Sequence, residues 1–378
     1  MHIDFLPSER TSLGVEMELE IVDRETRELR SGASEILDLM GAGQDGGHPK
    51  AKHELLESTI EIITGVCSTV PEARADLAAT LDEVTTHTAP RAMELLCSGT
   101  HPFSDWADQH ISPNPRYSQL VEEMQWLARR LQIFGIHVHV GVRSAEKAIA
   151  IANALSTYIP HFLALSASSP YWMGRDTGLA SSRSKVFEGL PTAGLPYQLS
   201  GWDEFEAFMT TLVSARSISS IREVWWDIRP HPNFGTVELR ICDGIPTLAE
   251  VAAVAAVSQC LVDWLNNLID RGYTLPVPRT WVLRENKWRA ARHGVDAEII
   301  IDEKGTLSPL RHEVAQLVEE LAAQQIAHRV PLLGAVQRDP AHARARIIRE
   351  YQQVGHVGIS PAPPKRACNR RIPLSHRS

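Results

Sequence analysis

The stretch LGVEMELEIV, residues 13–22, alternates apolar and polar side chains along its whole length. In an extended strand, successive side chains point to opposite faces of the sheet. The stretch therefore predicts a strand with one face towards a core and one face rich in carboxylates. The apolar set comprises Val15, Met17, Leu19 and Ile21, and the acidic set comprises Glu16, Glu18 and Glu20.

Three later stretches show the same alternation: STIEII at 58–63, GIHVHVGV at 135–142 and TVELRIC at 236–242. Several carboxylates on one sheet face repel each other and raise each other's pKa unless cations lie among them. We therefore expect cations, either arginines or metal ions, on the shared polar face. The side chains expected there are Glu16, Glu18, Glu61, His137, His139, Glu238 and Arg240.

Helical patterns separate these strands along the chain. Short alternating strands with helices between them predict an α+β fold, in which helices cover one face of an antiparallel sheet. Thr247 and Glu250 have the spacing of a capping box at the start of a long apolar helix. The predicted helices span 71–96, 115–134, 144–168 with a break at Pro160, 202–219, 247–269, 280–294, 309–328 and 340–352.

With 38 Lys and Arg against 46 Asp and Glu, the 378-residue chain has a formal charge of −8. This balance offers no basic surface for a nucleic acid or a membrane. The most apolar segment, 248–269, is interrupted by Glu250 and Asp263 and predicts a buried helix, not a membrane span. Five scattered cysteines without a CxxC pair, and an N-terminus without an apolar signal segment, favour a cytoplasmic protein.

No internal repeat and no clear linker divides the chain. We expect one catalytic domain over residues 1–357, with a mainly helical C-terminal third from about residue 247. Residues 358–378 form a basic, proline-bearing tail that we expect to be disordered. The oligomeric state is left open, although a homodimer is the commonest assembly of soluble enzymes.

The clustered carboxylates favour a hard cation. Oxygen-rich sites suit Mg²⁺ or Mn²⁺, which commonly use substrate phosphates as further ligands, so we expect a nucleotide substrate. The pair His137 and His139 leaves a zinc site open as an alternative, although no third ligand stands at a diagnostic spacing. Glu54 falls out of phase with Glu61 in a straight strand and would need a bulge to reach the same site.

Six motifs, taken together and in this order, resemble the YbdK-type carboxylate-amine ligases. This family is the glutamate–cysteine ligase type 2 group of the glutamine synthetase and glutamate–cysteine ligase superfamily. The resemblance covers about residues 10–330 and leaves out the basic tail. The motifs are GVEMELEIVD, HELLESTIEIITGVC, GIHVHVGV, SSPYWMGRDTGLASSRS, WWDIRPHPNFGTVELRICD and LRENKWRAARHG.

The resemblance implies a glutamine synthetase-like fold, in which a curved antiparallel sheet forms a funnel-shaped active site. It also implies dependence on ATP and Mg²⁺. In the family chemistry, ATP phosphorylates the γ-carboxylate of glutamate, and the amine of a second amino acid, typically cysteine, attacks the acyl phosphate. The products are γ-glutamylcysteine, ADP and phosphate, and membership is compatible with a weak activity of this kind beside other physiological substrates.

The resemblance further implies roles for single residues. Glu238 and Arg240 would carry catalysis, Glu238 as a metal ligand and Arg240 as a phosphate contact. We also hypothesise that Arg175 and Arg183, in the long irregular stretch at 168–196, bind the acceptor carboxylate or the phosphates, since an arginine fork fits either anion. The implied metal ligands are Glu16, Glu18, Glu54, Glu61, His137 and Glu238, and the expected substrate and phosphate contacts are Arg175, Arg183, Arg240 and His139.

Two other functions remain open from the sequence. A zinc-dependent hydrolase would use His137 and His139 and would need no ATP. A non-catalytic sensor of a nucleotide or an amino acid would keep the same fold. A sensor has no need of a full set of metal-binding carboxylates, so the ligase is the favoured hypothesis.

Overall fold

One large antiparallel sheet organises the protein in the computed structural model, which describes residues 2–41 and 47–325. Its strands and those of two small hairpins alternate with helices along the chain. The strands are β1 Leu13–Asp23, β2 Ala51–His53, β3 Thr59–Ile63, β4 Met93–Leu96, β5 Ile136–Gly141, β6 Tyr171–Trp172, β7 Arg175–Asp176, β8 Ile228–His231, β9 Thr236–Leu239, β10 Glu298–Ile300 and β11 Leu307–Pro309.

The helices lie between the strands and after the last strand of the large sheet. They are α1 Ala33–Leu39, α2 Val70–Thr88, α3 Pro115–Met124, α4 Trp126–Arg129, α5 Ala145–Leu155, α6 Ile159–Ser166, α7 Arg183–Phe187, α8 Trp202–Ser214, α9 Leu248–Asp270, α10 Thr280–His293 and α11 Leu310–Gln325.

The large sheet has the order β2-β3-β1-β5-β9-β8, and β4 pairs with the C-terminal part of β1. Each pair of neighbouring strands in it is antiparallel. The hairpins β6–β7 and β10–β11 form separate two-stranded sheets. The mixture of helices with an antiparallel sheet confirms the α+β class expected from the sequence.

The apolar face of the large sheet is buried beneath helices. Alternate residues of its central strands, for example Val15, Val138 and Leu239, are at most 2% exposed. They belong to one hydrophobic core together with residues of α2, α5 and α9. Burying one large apolar side chain contributes roughly 1.5–3 kcal/mol, so the alternation decides which face of each strand turns inwards.

Two helical stretches, Ala145–Ser166 and Leu248–Asp270, are long and apolar enough to cross a membrane by length and composition alone. Their apolar windows are 78% and 72% buried inside the protein. A core helix of a soluble protein passes the same test, so the two stretches are weak support for a membrane span. The burial of α9 agrees with the buried helix predicted from its sequence.

The helix predicted at 71–96 is too long. Helix α2 ends at Thr88, and Ala92 adopts a left-handed conformation with φ of +53°. The chain then runs back along β1 as strand β4, where a helix was expected. Helical periodicity could not reveal this change, because pairing with a strand far away in the sequence decides it.

Other predicted helices are interrupted or shortened. The helix expected at 115–134 is divided at Gln125, whose φ is +49°, and its second part ends at Arg129. The helix expected at 144–168 is divided by a 3₁₀ turn, so that Pro160 lies in the first turn of α6. The helix expected at 202–219 ends at Ser214.

The helix boundaries that carry capping signals agree with the sequence. Thr247 Oγ1 accepts a hydrogen bond from the amide of Glu250 at 3.3 Å, and α10 ends at His293, before Gly294. Helix α11 begins at Leu310, close to the predicted start. The helix predicted at 340–352 and the tail at 358–378 lie outside the described residues.

A short turn joins β8 to β9 and depends on Gly235. Its φ is +61°, in the left-handed region that glycine adopts without strain. A Cβ atom at this position would overlap the carbonyl oxygen of Leu6. The N-terminal segment therefore packs directly on the turn, and only glycine leaves room for it.

We expect Gly235→Ala to lower the free energy of unfolding by at least about 2 kcal/mol more than Gly272→Ala does. Gly272 is the matched control, because its φ is +84° and a Cβ atom there would meet nothing within 4 Å. Urea denaturation followed by circular dichroism measures both variants. Equal losses would contradict the steric role of the Leu6 contact.

Candidate active site

The polar face of the large sheet brings the predicted charged residues together through strand register. Antiparallel pairing places residues of neighbouring strands directly opposite one another on this face. The register therefore builds a continuous band of charge across the sheet. The opposed pairs are Lys52 and Glu61, Glu61 and Glu18, Glu16 and His137, His139 and Glu238, and Glu238 and Arg229.

This band forms the floor of a cavity of about 450 Å³. His139 and Glu238 are buried in the floor and are not among the residues that line the cavity. Residues from the segment after β2, from α3, from α7 and from the segment before β8 form the walls. The predicted site residues that line it are Glu16, Glu18, Glu54, Glu61, His137, Arg183 and Arg240.

The placement of two predicted residues differs from the expectation. Arg175 was expected, like Arg183, to contact the acceptor carboxylate or the phosphates, but it lies exposed in the β6–β7 hairpin and does not line the cavity. Glu54 reaches the cavity without a strand bulge, because it follows the last residue of β2 and lies in the irregular segment before β3. The phase of a straight strand therefore does not apply to Glu54.

Glu16, His137 and Glu238 form a first group of potential metal ligands, whose donor atoms lie within 4.8 Å of one another. Glu16 Oε2 lies 3.0 Å from His137 Nδ1, and Glu16 Oε1 lies 3.3 Å from His139 Nε2. Burial raises the pKa of Glu16, but the two imidazoles outweigh burial and hold the pKa well below its usual value. Burial and the Arg240 charge lower the pKa of His137 to about 4. Glu16 is therefore ionised, and His137 neutral, at pH 7.

Glu18, Glu61 and His137 form a second group of potential ligands with the same spacing. Burial, together with the charge of Glu54, raises the pKa of Glu18 to about 8. Burial and the neighbouring carboxylates raise the pKa of Glu61 well above its usual value. Without a cation, this half of the floor therefore keeps protons at neutral pH. A divalent cation would take their place, because it favours the ionised carboxylates.

Glu238 is completely buried and is bound by two arginines. Arg229 donates from Nε and Nη2 to Glu238 Oε2, at 3.0 and 2.7 Å, and Arg240 donates from Nη1 to Glu238 Oε1. Burial raises the pKa of Glu238, but these two guanidinium groups hold it far below its usual range. Glu238 is therefore a permanent anion whose nearest partners are arginines.

Three of the arginines that line the cavity, Arg183, Arg229 and Arg240, differ in the number of donors that have no partner. Arg229 also donates from Nη1 to two backbone carbonyls, at 2.9 and 3.0 Å, so its guanidinium is held from several sides. By contrast, the buried Nε atoms of Arg183 and Arg240 have no hydrogen-bond partner within residues 2–41 and 47–325. Buried donors without partners are rare in proteins, and both of these residues line the cavity.

His139 lies beside the first ligand group but is not a member of either group among the described residues. Its Nδ1 atom lies 3.0 Å from Thr236 Oγ1, and its Nε2 atom faces Glu16. Burial lowers the pKa of His139, but Glu238 and Glu16 outweigh burial and raise it. In the described part of the chain, neither ligand group contains both His137 and His139. The described residues therefore offer no ligand group that contains both imidazoles of the zinc alternative.

Several charged residues of this cavity give no signal in the sequence. Arg229 lies in the quoted motif at 225–243, but its contact with Glu238 depends on the pairing of β8 with β9. Lys52, Arg116 and Arg222 are exposed at the cavity. They come from separate segments that only the tertiary structure brings together, so no local pattern could have identified them.

The fold and the cavity together define an α+β protein with a candidate active site on the polar face of its sheet. The model of the Glutamate-cysteine ligase family 2 matches residues 12–362, which is most of the chain. The chain therefore belongs to the glutamate-cysteine ligase family 2, and it is a ligase that forms a carbon–nitrogen bond. This confirms the family resemblance noted in the sequence.

A relative from Frankia alni, which carries the provisional name glutamate–cysteine ligase 2-1, is 61% identical over 331 residues. The match covers 87% of this chain and 86% of the relative. The chain is thus similar to that protein over nearly its whole length.

Two solved structures share the fold. A glutamate–cysteine ligase from Francisella tularensis, in complex with AMP, superposes with a TM-score of 0.67 at 13% identity and covers 92% of this chain and 84% of that one. A bifunctional glutathione synthetase from Pasteurella multocida has the same TM-score at 16% identity. This chain spans 50% of the length of the bifunctional protein. At such identities the likeness shows the fold alone, and that fold is the one the resemblance implied.

We expect Arg229→Met to lower the free energy of unfolding by about 3 kcal/mol, because it leaves the buried Glu238 with one fewer cation. Arg229→Lys should lose less stability than Arg229→Met, because it keeps a cation beside Glu238. Arg222→Met, at an exposed position of the same cavity, is the control and should leave stability unchanged. Urea denaturation measures all three variants, and equal losses in the two Arg229 variants would contradict the ion-pair explanation.

Proposed function

We propose that the protein is an ATP- and Mg²⁺-dependent carboxylate-amine ligase that joins glutamate, or a similar carboxylic acid, to an amino-acid amine. With cysteine as the acceptor, the products would be γ-glutamylcysteine, ADP and phosphate. One observation carries the proposal: two carboxylate ligand groups share His137 on the floor of a cavity that also holds two arginines with unpartnered buried donors among the described residues. Such a site matches a metal-bound polyphosphate.

The donor atoms present suit Mg²⁺ or Mn²⁺. Both ligand groups are mostly carboxylate, and their donor atoms already converge, as hard divalent cations require. Glu16, His137 and Glu238 would hold one ion, and Glu18 and Glu61 would hold another, with Glu54 close by. When bound, the ions would neutralise charge on the transferred phosphoryl group and on the departing ADP.

Arg240 and Arg183 supply the protein's own positive charge to the phosphates. Arg240 is anchored by Glu238 through Nη1 and keeps its Nε donor free among the described residues. Arg183 donates to backbone carbonyls at 3.3–3.4 Å, and its Nε donor is likewise unpartnered there. Donors that are already placed and desolvated stabilise developing charge without reorganising. Arg229 and Glu238 hold Arg240 in this position.

The walls of the cavity would protect a reactive acyl phosphate from water. Apolar walls exclude water, which would otherwise hydrolyse the intermediate before the amine attacks it. The large apolar side chains that line the cavity include Leu120, Leu131, Ile133, Phe187, Leu190 and Trp225.

Polar groups around the cavity complete the proposed site. Arg116, Arg222 and Lys52 offer exposed cations to the carboxylates of the two substrates. His139, whose Nδ1 atom lies 3.0 Å from Thr236 Oγ1, faces Glu16 with its other ring nitrogen. In this proposal, His139 orients Glu16 and acts on the substrates only through it.

The remaining expectations form part of the same proposal. One catalytic domain covers residues 1–357, the protein acts in the cytoplasm, and the assembly to test first is a homodimer. The main hydrophobic core contains residues from Leu13 to Leu321, which supports a single domain.

The experiment that tests the function measures ADP release from ATP and Mg²⁺ across a matrix of carboxylic-acid donors and amine acceptors. ADP formation that requires both substrates, and that Glu61→Gln abolishes, establishes the ligase and identifies the substrates. Glu61→Gln is a better inactive control than Glu238→Ala, because loss of Glu238 would leave Arg229 and Arg240 without their anion. Nucleotide binding without ADP release from any pair would favour a sensor, and activity without ATP in a zinc-containing preparation would favour a hydrolase.

A second test measures the metal directly. We expect Glu61→Gln to weaken Mn²⁺ binding by at least about tenfold, because it replaces a charged carboxylate of the second group with a neutral amide. Glu57→Gln is the matched control, since Glu57 accepts a hydrogen bond from Ser34 Oγ at 2.6 Å and does not line the cavity. Electron paramagnetic resonance of free Mn²⁺ during titration gives both affinities. Equal affinity in the two variants would contradict the proposed ligand set.

A further inference from the structure

The short helix α7 carries Arg183 at its first residue and Phe187 at its last. Both side chains line the cavity. The hydrogen bonds of the Arg183 guanidinium are weak: those to backbone carbonyls are 3.3–3.4 Å long, and Nε has no partner in the described residues. The position of the Arg183 side chain therefore depends on the contacts that hold the backbone of α7 in place.

Hydrogen bonds through two serine hydroxyls connect the N-terminal end of α7 to Asp243. Ser169 Oγ donates to Asp243 Oδ2 at 2.7 Å and accepts from the amide of Arg183 at 3.1 Å. Ser181 Oγ donates to Asp243 Oδ1 at 2.8 Å and accepts from the amide of Ser184 at 3.3 Å. Each carboxylate oxygen thus reaches one of the first amides of the helix through one hydroxyl.

Asp243 is buried and closely packed by its surroundings. Its side chain is completely buried, and Oδ2 also accepts from the amide of Ser168 at 3.0 Å. A Cβ atom on Gly99 would lie 2.6 Å from the carboxylate, so the backbone of Gly99 packs directly against it. Asp243 follows Arg240 by three residues, which ties the start of α7 to the segment that carries Arg240.

Ion pairs of a buried lysine hold the C-terminal end of α7 in place. Lys287 Nζ lies 2.6 Å from Oε1 of Glu188, the residue that follows the helix, and 2.6 Å from Asp227 Oδ2. Lys287 and Asp227 are each 2% exposed. The carbonyl of Asp227 accepts from the amide of Arg240 at 2.8 Å. Both ends of α7 are therefore connected to the strand segment on which Arg240 lies.

We infer that Asp243 and Lys287 are positioning residues, which fix α7 at its two ends and thereby set the position of Arg183 relative to Arg240. This inference rests on the proposed function, in which both arginines contact the phosphates. The close packing of the Arg183 guanidinium against Gly135 supports the inference. A Cβ atom on Gly135 would overlap Arg183 Nη2. The absence of a side chain at Gly135 therefore leaves room for the Arg183 guanidinium, and the connections of α7 place the guanidinium in that space.

The kinetic test compares Asp243→Asn with the wild type and repeats the comparison in an Arg183→Met background. An asparagine has one acceptor oxygen in place of two, so one serine connection to α7 is lost. If Asp243 acts through Arg183, Asp243→Asn lowers kcat/KM for ATP roughly tenfold in the wild type and changes it little in Arg183→Met. An equal fall in both backgrounds would overturn the inference, because a general structural role is independent of Arg183.

Two further variants keep this test decisive. Lys287→Met should give the same non-additive pattern from the opposite end of the helix. Glu20→Gln is the matched control: Glu20 is equally buried and also accepts from a serine, Ser98, which lies outside α7 and its two connections. It should leave kcat/KM unchanged in either background. A fall that matched Asp243→Asn would show that any lost buried carboxylate has this effect and would overturn the inference.

A chemical readout separates this inference from the proposed function. The rate at which phenylglyoxal modifies Arg183, measured by mass spectrometry of the full-length protein, needs neither ATP nor turnover. Arg183 is 3% exposed, so its labelling should be slow in the wild type and several times faster in Asp243→Asn, while the labelling of Arg229 stays unchanged. Faster labelling of Arg183 supports the inference even if no substrate pair releases ADP, and unchanged labelling overturns it even if the ligase is established.

Discussion

The burial of Glu238 between Arg229 and Arg240 is the interaction on which the site depends. A carboxylate with no exposure to solvent is tolerable only when cations compensate its charge, and both of its oxygen atoms accept from an arginine. The pair of arginines in turn has a fixed anion to bind, so Arg240 can face the cavity without a substrate. Arg229, Glu238 and Arg240 thus compensate each other's charge within the sheet, and together they fix the position of Arg240 at the cavity.

The carboxyl groups on the floor of the cavity fall into an ionised set and a protonated set. Near Glu238, the carboxylates are ionised because imidazoles and guanidinium groups surround them. Around Glu18 and Glu61, burial and mutual repulsion raise the pKa, so protons occupy the place that a cation would take. This division lets one sheet face bury several carboxylates without leaving them all charged. It also fits the proposed binding of Mg²⁺ together with a nucleotide.

Much of the fold and part of the site could be predicted from the sequence, because period-two alternation directly reports which face of a strand is buried. The alternation placed Glu16, Glu18 and Glu61 on one face correctly. The alternation did not predict β4, which pairs with β1 where a helix was expected. It also did not apply to Glu54, because Glu54 lies outside β2 and β3. Arg175 was grouped with Arg183 by proximity in sequence, although a hairpin places it away from the cavity.

The sequence by itself determined the class of fold, the polar face of the sheet and the family of the protein, since each follows from local alternation or from short motifs. Only the tertiary structure decided which charges meet. The connections from Asp243 and Lys287 to α7 join segments that are far apart along the chain, and the contact of Arg229 with Glu238 depends on the register of β8 against β9. Their geometry depends on strand register and helix packing, and no pattern of neighbouring residues encodes either of these.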